Sequence, residues 1–381
     1  MIKRVFPILA ISVFSSMIGV GIITPLLPQY AEDLGATIIG IAVIFSAFSL
    51  SRAVFTPLIG RASDKRGRKM FISAGLLAFA IISIAYVWAD TVPELILVRL
   101  LHGTAAGMII PIAQAYIGDL SPQGQEGRWM GYFNAAFMAG FGLGPLIGGI
   151  MKDYATINVA FYTMGALNIL ALILALLLLP DTQGKRVEGA PLFTAMKSGV
   201  IRGLFAFRLT NAMGRGILFA FLPLFAGEDS AIGLTSVQVG TALTVNVLLI
   251  SLLQVPLGRF ADRFSTKKGL VAIGSLVDVM ILCLIPFSTN FTQIILLCVI
   301  GSTGRAFSLP SASAMTVEEG RKYGMGTTTG IFNTAMSLGV AIGPFLGATT
   351  ASLTNVSPVF FFGAIVGTLG ITAFVWFTRG Q

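Results

Sequence analysis

Pro57-Leu58-Ile59-Gly60-Arg61-Ala62-Ser63-Asp64-Lys65-Arg66-Gly67-Arg68-Lys69 is a basic turn between two apolar runs, and its first part occurs twice in the chain. It returns as Pro256-Leu257-Gly258-Arg259-Phe260-Ala261-Asp262-Arg263, with Gly60 and Asp64 both displaced by 198 residues. Two further blocks repeat at nearly the same distance. Phe133-Asn134 and Gly144-Pro145 return 199 residues on as Phe332-Asn333 and Gly343-Pro344. Gly19, Gly21 and Pro28 return 195 residues on as Gly214, Gly216 and Pro223. Self-similarity at one period marks a duplicated structural unit. The chain therefore reads as two halves, 1–180 and 201–381, joined by a polar linker at 181–200 that holds Asp181, Gly184, Lys185, Arg186 and Pro191.

The surroundings of the turn are apolar throughout. Of the 381 residues, 55% are hydrophobic and only 11% charged, against about a quarter charged in a soluble domain. A surface so poor in charge cannot face water everywhere, and crossing a bilayer takes about 20 apolar residues. Runs of that kind are expected at 6–30, 38–60, 70–89, 93–117, 129–152, 159–179, 201–225, 235–258, 269–286, 291–315, 325–350 and 357–377. The expected fold is an all-α membrane protein of twelve transmembrane helices in two pseudo-symmetric six-helix bundles. Gly and Pro inside a span are tolerated where neighbouring helices compensate, so the 44 glycines read as close helix contacts.

Lys and Arg gather before the first span and after the second, fourth, sixth, eighth, tenth and twelfth. The opposite loops carry Glu32, Asp33, Asp90, Glu94, Glu228 and Asp229, with Lys152 as their single base. By the positive-inside rule both termini are expected in the cytoplasm, with the chain in the inner or plasma membrane. The net charge of +9 is this bias summed, and it argues against nucleic acid as a partner. The basic start and apolar run at the N-terminus continue to spanning length through Pro28, so they read as a retained first helix. Cys283 and Cys298 lie inside apolar spans and imply neither a disulfide framework nor a metal site.

Gly60, Asp64, Gly67, Arg68 and Lys69 resemble the loop motif between the second and third helices of the major facilitator superfamily. Arg99-x-x-His102-Gly103 resembles its fourth-helix motif, with His102 where Gln is usual. Gly131, Gly140, Gly144, Pro145, Gly148 and Gly149 match the spacing of its fifth-helix antiporter motif. Gly19-x-Gly21-x-x-x-Pro25-x-x-Pro28 resembles the first-helix motif of the twelve-helix drug:proton antiporters. The resemblance implies a conformational latch, made of Gly60, Asp64, Arg68 and Asp119 in one half and of Gly258 and Asp262 in the other. Asp64 would sit at the start of the eleventh helix and Arg68 would pair with Asp119; these contacts break as the cavity turns inward. It also implies a hinge at Gly140, Gly144, Pro145 and Gly148, repeated at Gly343 and Pro344. There the small-residue strips would let helices rock across the interface between halves.

Charge inside the spans is the most specific evidence about the substrate. Arg52, Arg99, Arg208, Arg215 and Arg305 face one deeply placed carboxylate, Asp278 in the ninth span. Arg52, Arg215 and Arg305, with the polar mid-span residues Gln114, Asn134, Asn246 and Asn333, are the expected lining of the substrate cavity. Two groups are candidates for proton coupling. His102, the single histidine, titrates near neutrality when unperturbed, and Asp278 is a carboxylate inside the membrane, although the resemblance places the ninth helix outside the cavity.

The expected function is secondary active transport by alternating access, as proton-coupled efflux of amphipathic small molecules. The alternative is a carrier of organic anions or lipids that uses the intramembrane arginines; a non-transporting receptor or a membrane enzyme ranks lower. The sequence offers no metal-ligand cluster, no nucleotide-binding glycine loop before a lysine and no nucleophile beside a base, so no catalytic residues and no cofactor are expected. The partners expected are an amphipathic substrate, protons and the lipid bilayer, with the chain acting as a monomer.

Overall fold

A computed structural model describes residues 2–122, 126–181, 192–261, 267–323, 325–353 and 355–379. The chain runs α1 (Ile2–Asp33), α2 (Ile38–Arg66), α3 (Arg68–Val87), α4 (Val92–Leu120), α5 (Glu126–Tyr154) and α6 (Ile157–Leu178). A single turn, α7 (Leu192–Ala195), precedes α8 (Gly199–Ala226), α9 (Ser236–Ala261) and α10 (Lys267–Leu284). A 3-10 turn at Ile285–Phe287 leads to α11 (Phe291–Tyr323), α12 (Met325–Leu353) and α13 (Ser357–Thr378). Among the described residues there is no strand, and twelve helices are long and apolar enough to cross a membrane. The protein is an all-α, multi-pass membrane protein. Several helices outrun their expected spans: α11 has 33 residues, about 50 Å at 1.5 Å per residue. Its polar end carries Glu318, Glu319 and Lys322 beyond the apolar run.

The chain divides into two compact units. The first holds Met1–Arg186 with Thr235–Thr244, and the second Val187–Leu234 with Val245–Gln381. Residues 235–244 join the first unit through α5. Asp153 accepts hydrogen bonds from the backbone N–H groups of Ser236 and Val237 at 3.2 and 2.8 Å, at the start of α9. Leu146 N–H donates to Thr244 Oγ1 at 3.1 Å.

The duplicated motifs meet each other inside each unit. In the first, α1 packs along α5, and a Cβ placed on Gly144 would lie 2.5 Å from Gly21 Cα. One placed on Gly140 or Gly148 would fall 2.5 Å from the carbonyl oxygen of Phe14 or Ile22. In the second, α8 packs along α12, and a Cβ on Gly343 would fall 2.5 Å from Met213 O. Gly21 faces Pro145 and Gly216 faces Pro344, with Cβ-to-Cδ distances of 3.2 and 2.9 Å. The first-helix and fifth-helix motifs are thus two sides of one contact, made once per unit. This corrects the expectation that Gly140, Gly144, Gly148 and Gly343 face partners in the opposite half, whereas Gly149 and Pro145 of the same motif do meet α9: a Cβ on Gly149 would lie 2.3 Å from Ser236 O and one on Gly240 2.3 Å from Pro145 O. Glycines spaced by four form a groove, and the backbone that fills it belongs to the first helix of the same unit. The reading of glycine as close contact also fails at Gly60, Gly118, Gly131 and Gly330, where a Cβ would meet nothing within 4 Å among the described residues.

Candidate functional site

The repeated turn at 57–69 is built by a change of helix. Gly67 ends α2 with φ +94°, and its N–H donates to Ser63 O at 3.1 Å. That bend starts α3 at once with Arg68, which is buried. Arg68 Nε donates to Asp119 Oδ2 at 2.8 Å and its Nη1 to Ser63 Oγ at 3.1 Å, tying α2, α3 and the end of α4 together. The Arg68–Asp119 pair forms as the resemblance implies. The side chain of Asp64, the surroundings of Gly258 and all of Asp262 lie outside the described residues. Among the described residues, nothing lies within 4 Å of a Cβ placed on Gly60.

In the second unit, α10 packs on α11 and a buried polar cluster forms. Arg305 Nη2 lies 2.8 Å from Asp278 Oδ1, and both side chains are more than 90% buried. Arg305 Nη1 donates to Asn246 Oδ1 at 3.2 Å, and Asn246 Nδ2 reaches Cys298 O at 3.5 Å. Asn211 Nδ2 contacts Asp278 Oδ2 at 3.4 Å. Three residues that the sequence singles out separately, Asn246, Asp278 and Arg305, are therefore one cluster on α9, α10 and α11. Of the five intramembrane arginines set against Asp278, Arg305 holds it in a salt bridge. Although Asp278 is on the ninth span, a glycine contact brings that span close: a Cβ on Gly274 would lie 2.4 Å from Gly304 O. A buried ion pair persists only with good geometry and further hydrogen bonds, and Asn246 and Asn211 supply them.

The other proton candidate sits in the first unit. His102 is fully buried, and its ring lies edge-on to Phe48, Phe79 and Tyr86. Its Nδ1 is 3.0 Å from Tyr86 Oη. Arg99 Cζ stands 4.5 Å from the Phe48 ring centroid, and its Nε donates to Ile44 O at 3.3 Å. His102 and Arg99 thus belong to an aromatic core joining α2, α3 and α4, which supports a packing role for both.

The remaining candidates lie on α2, α4 and α5 in the first unit and on α8 and α12 in the second. Arg52 and Gln114 are half-buried, and Asn134 and Asn333 are exposed at equivalent positions. Arg215 is half-buried with its guanidinium 5.6 Å from the Phe219 ring centroid. Arg208 lies over Phe332 at 4.8 Å, with Nη2 2.8 Å from Met336 Sδ. Sequence reasoning passed over Ser63, Tyr86 and Asp153. It also passed over Ser275, although its place three residues before Asp278 puts the two on one helical face.

The helices, the doubled motif contacts and the turn fit one known architecture, and the model of the Major Facilitator Superfamily matches residues 9–229 and 204–381. The chain belongs to the major facilitator superfamily. It is a transporter of that superfamily rather than an enzyme. An uncharacterized MFS-type transporter of Methanocaldococcus jannaschii is 30% identical, with 99% of each chain covered. The quinolone resistance protein NorA of Staphylococcus aureus is 27% identical, over 94% of this chain and 92% of its own. The crystal structure of the human organic anion transporter MFSD10 shares the superfamily fold with a TM-score of 0.70 at 19% identity, covering 98% of this chain and 99% of that one.

Proposed function

We propose that this major facilitator exports amphipathic small molecules in exchange for protons, from a cell membrane in which both its termini are cytoplasmic. One observation carries the coupling half of this reading, the buried Asp278–Arg305 pair. Inside the membrane an ionisable residue is a functional candidate by default, and a carboxylate held by an arginine has two neutralised states. It is paired with the cation or it carries a proton. A group that trades one for the other links proton uptake to rearrangement of α10 and α11. His102 is the weaker candidate, because its ring is enclosed by Phe48, Phe79 and Tyr86. The proton gradient is the only energy source this reading requires. Its substrate half draws on the likeness to the quinolone resistance protein over nearly the whole chain.

A second reading, a carrier of organic anions or lipids, is favoured by Arg208 and Arg215, one above the other on α8 within electrostatic reach. Transport assays in inside-out membrane vesicles separate the two. The exporter reading expects a quinolone and ethidium to accumulate under an inward-acid gradient and a protonophore to abolish the accumulation. Accumulation of a lipophilic anion alone, sensitive to Arg215→Ala, would replace it with the anion carrier.

A further inference from the structure

A cavity of about 20 Å³ opens beside Asp278, inside the second unit, between α8, α10 and α13. Its walls include Thr210 and Asn211 of α8, Ser275 and Asp278 of α10, and Gly363 and Gly367 of α13. That is room for a single water molecule, which needs both such a volume and two to four polar partners.

The chemistry of the wall selects its guest. Thr210 Oγ1 donates its proton to Ala206 O at 3.0 Å, and Ser275 Oγ donates to Val271 O at 2.6 Å. Each hydroxyl hydrogen is turned back along its own helix, so the oxygens offer lone pairs. Asn211 uses an amide N–H toward Asp278 Oδ2, which leaves its Oδ1 as an acceptor. On one side of the wall two hydroxyl oxygens, an amide oxygen and a carboxylate all accept, while Phe207, Val279, Leu282 and Ile371 make the other side apolar. Such a wall suits a guest that only donates, and a protonated water is the smallest.

The charges around the carboxylate are few. From α11, Arg305 holds Oδ1 directly. From α8, Arg215 lies within electrostatic reach of Asp278, with Arg208 within reach of Arg215. The Cys298 thiol of α11 lies within reach of Arg305. The α13 wall is Gly363, Gly367 and Ile371, and the turn packed below α10 is Ile285-Pro286-Phe287. Neither carries a titratable side chain.

We infer that this cavity is the port through which the coupling proton enters and leaves Asp278, delivered by a water molecule to Oδ2 while Arg305 occupies Oδ1. This deepens the exchange reading and rests on it. A hydronium in the cavity transfers one proton to Oδ2, leaving a neutral carboxylic acid and a water. The Arg305 Nη2–Oδ1 contact then changes from an ion pair to a hydrogen bond with a neutral partner, while Nη1 keeps its bond to Asn246. The reverse transfer restores the pair. Because α10 and α11 touch through Gly274 and Gly304, the strength of that contact bears directly on how tightly the two helices are held.

The test is infrared difference spectroscopy of the reconstituted full chain as pH falls, followed by transfer from H2O to D2O. The expected result is a protonated-carboxyl band that rises on acidification, is lost in Asp278→Asn, and shifts promptly in D2O. In Thr210→Val/Ser275→Val, which removes both hydroxyls from the wall, the band remains but its deuterium shift is slowed. Asp278→Asn/Arg305→Gln, which removes both charges, must also lack the band, which guards against a folding defect in the single variant. A band that survives Asp278→Asn overturns the inference. So does a deuterium shift as fast in Thr210→Val/Ser275→Val as in the parent, or displacement of the band by sodium at fixed pH. These outcomes need no transported substrate, so they are separate from failure of the exporter reading, which shows as absent uptake of both quinolone and ethidium.

Discussion

Arg305 and Asp278 each become costly when the other is removed, because the remaining charge is left buried without compensation. Arg305→Gln is therefore expected to destabilise the protein by about 3–5 kcal/mol. The double variant Asp278→Asn/Arg305→Gln is expected to recover most of that loss, since no charge stays behind. Thermal unfolding in detergent micelles measures both. In the first unit, Tyr86→Phe removes the hydroxyl shared by His102 Nδ1 and Arg99 Nη1. Leaving buried polar atoms unsatisfied costs about 1–3 kcal/mol, and the same unfolding assay reads it. A loss of proton-driven uptake in Tyr86→Phe at unchanged stability would instead make His102 a coupling group. The sequence exposes these residues singly, because charge inside an apolar run is visible at once. It does not show that Asn246, Asp278 and Arg305 converge, because they lie on three helices and only packing sets their rotation. The fully buried His102 is legible as the single histidine, but its aromatic enclosure is not.

At the scale of elements, the glycine strip of α5 is the clearest case of a pattern whose position is legible and whose partner is not. Spacings of four place Gly140, Gly144 and Gly148 on one face, but nothing in the spacing says which backbone enters the groove. The structure puts α1 there, through Gly21 and Ile22. Gly144→Ala must push α1 from α5, and overpacking of this kind costs about 1–3 kcal/mol. Gly131→Ala, in the same motif but with open space around it, is expected to leave the unfolding temperature unchanged. Equal effects from the two substitutions would contradict the groove-filling account. The span boundaries were readable from hydropathy to within a turn or two. Their ends extend further because a helix, once formed, carries polar residues such as Glu319 past the apolar run, where Ser198 Oγ meets its Oε2 at 2.6 Å.

At the scale of the whole molecule, the twelve spans were legible from apolar runs and the duplication from three blocks of sequence at offsets of 195, 198 and 199 residues, because duplication preserves the glycines and prolines on which helices touch. The transported molecule was not legible in the same way. Substrate contacts depend on which side chains the packing turns toward one space, and the positions of Arg52, Gln114, Asn134 and Asn333 in the sequence do not reveal that. The charge pattern alone suggested a strongly cationic interior, and pairing of Arg305 with Asp278 reduces it. The central claim is that substrate moves outward as protons move inward through one chain. The most direct measurement is of protons themselves, in proteoliposomes that enclose a pH-sensitive dye and carry no imposed pH gradient. Addition of a quinolone gradient across the purified protein is expected to drive proton movement in the opposite direction, abolished by Asp278→Asn. Quinolone flux with no accompanying proton movement would contradict the account.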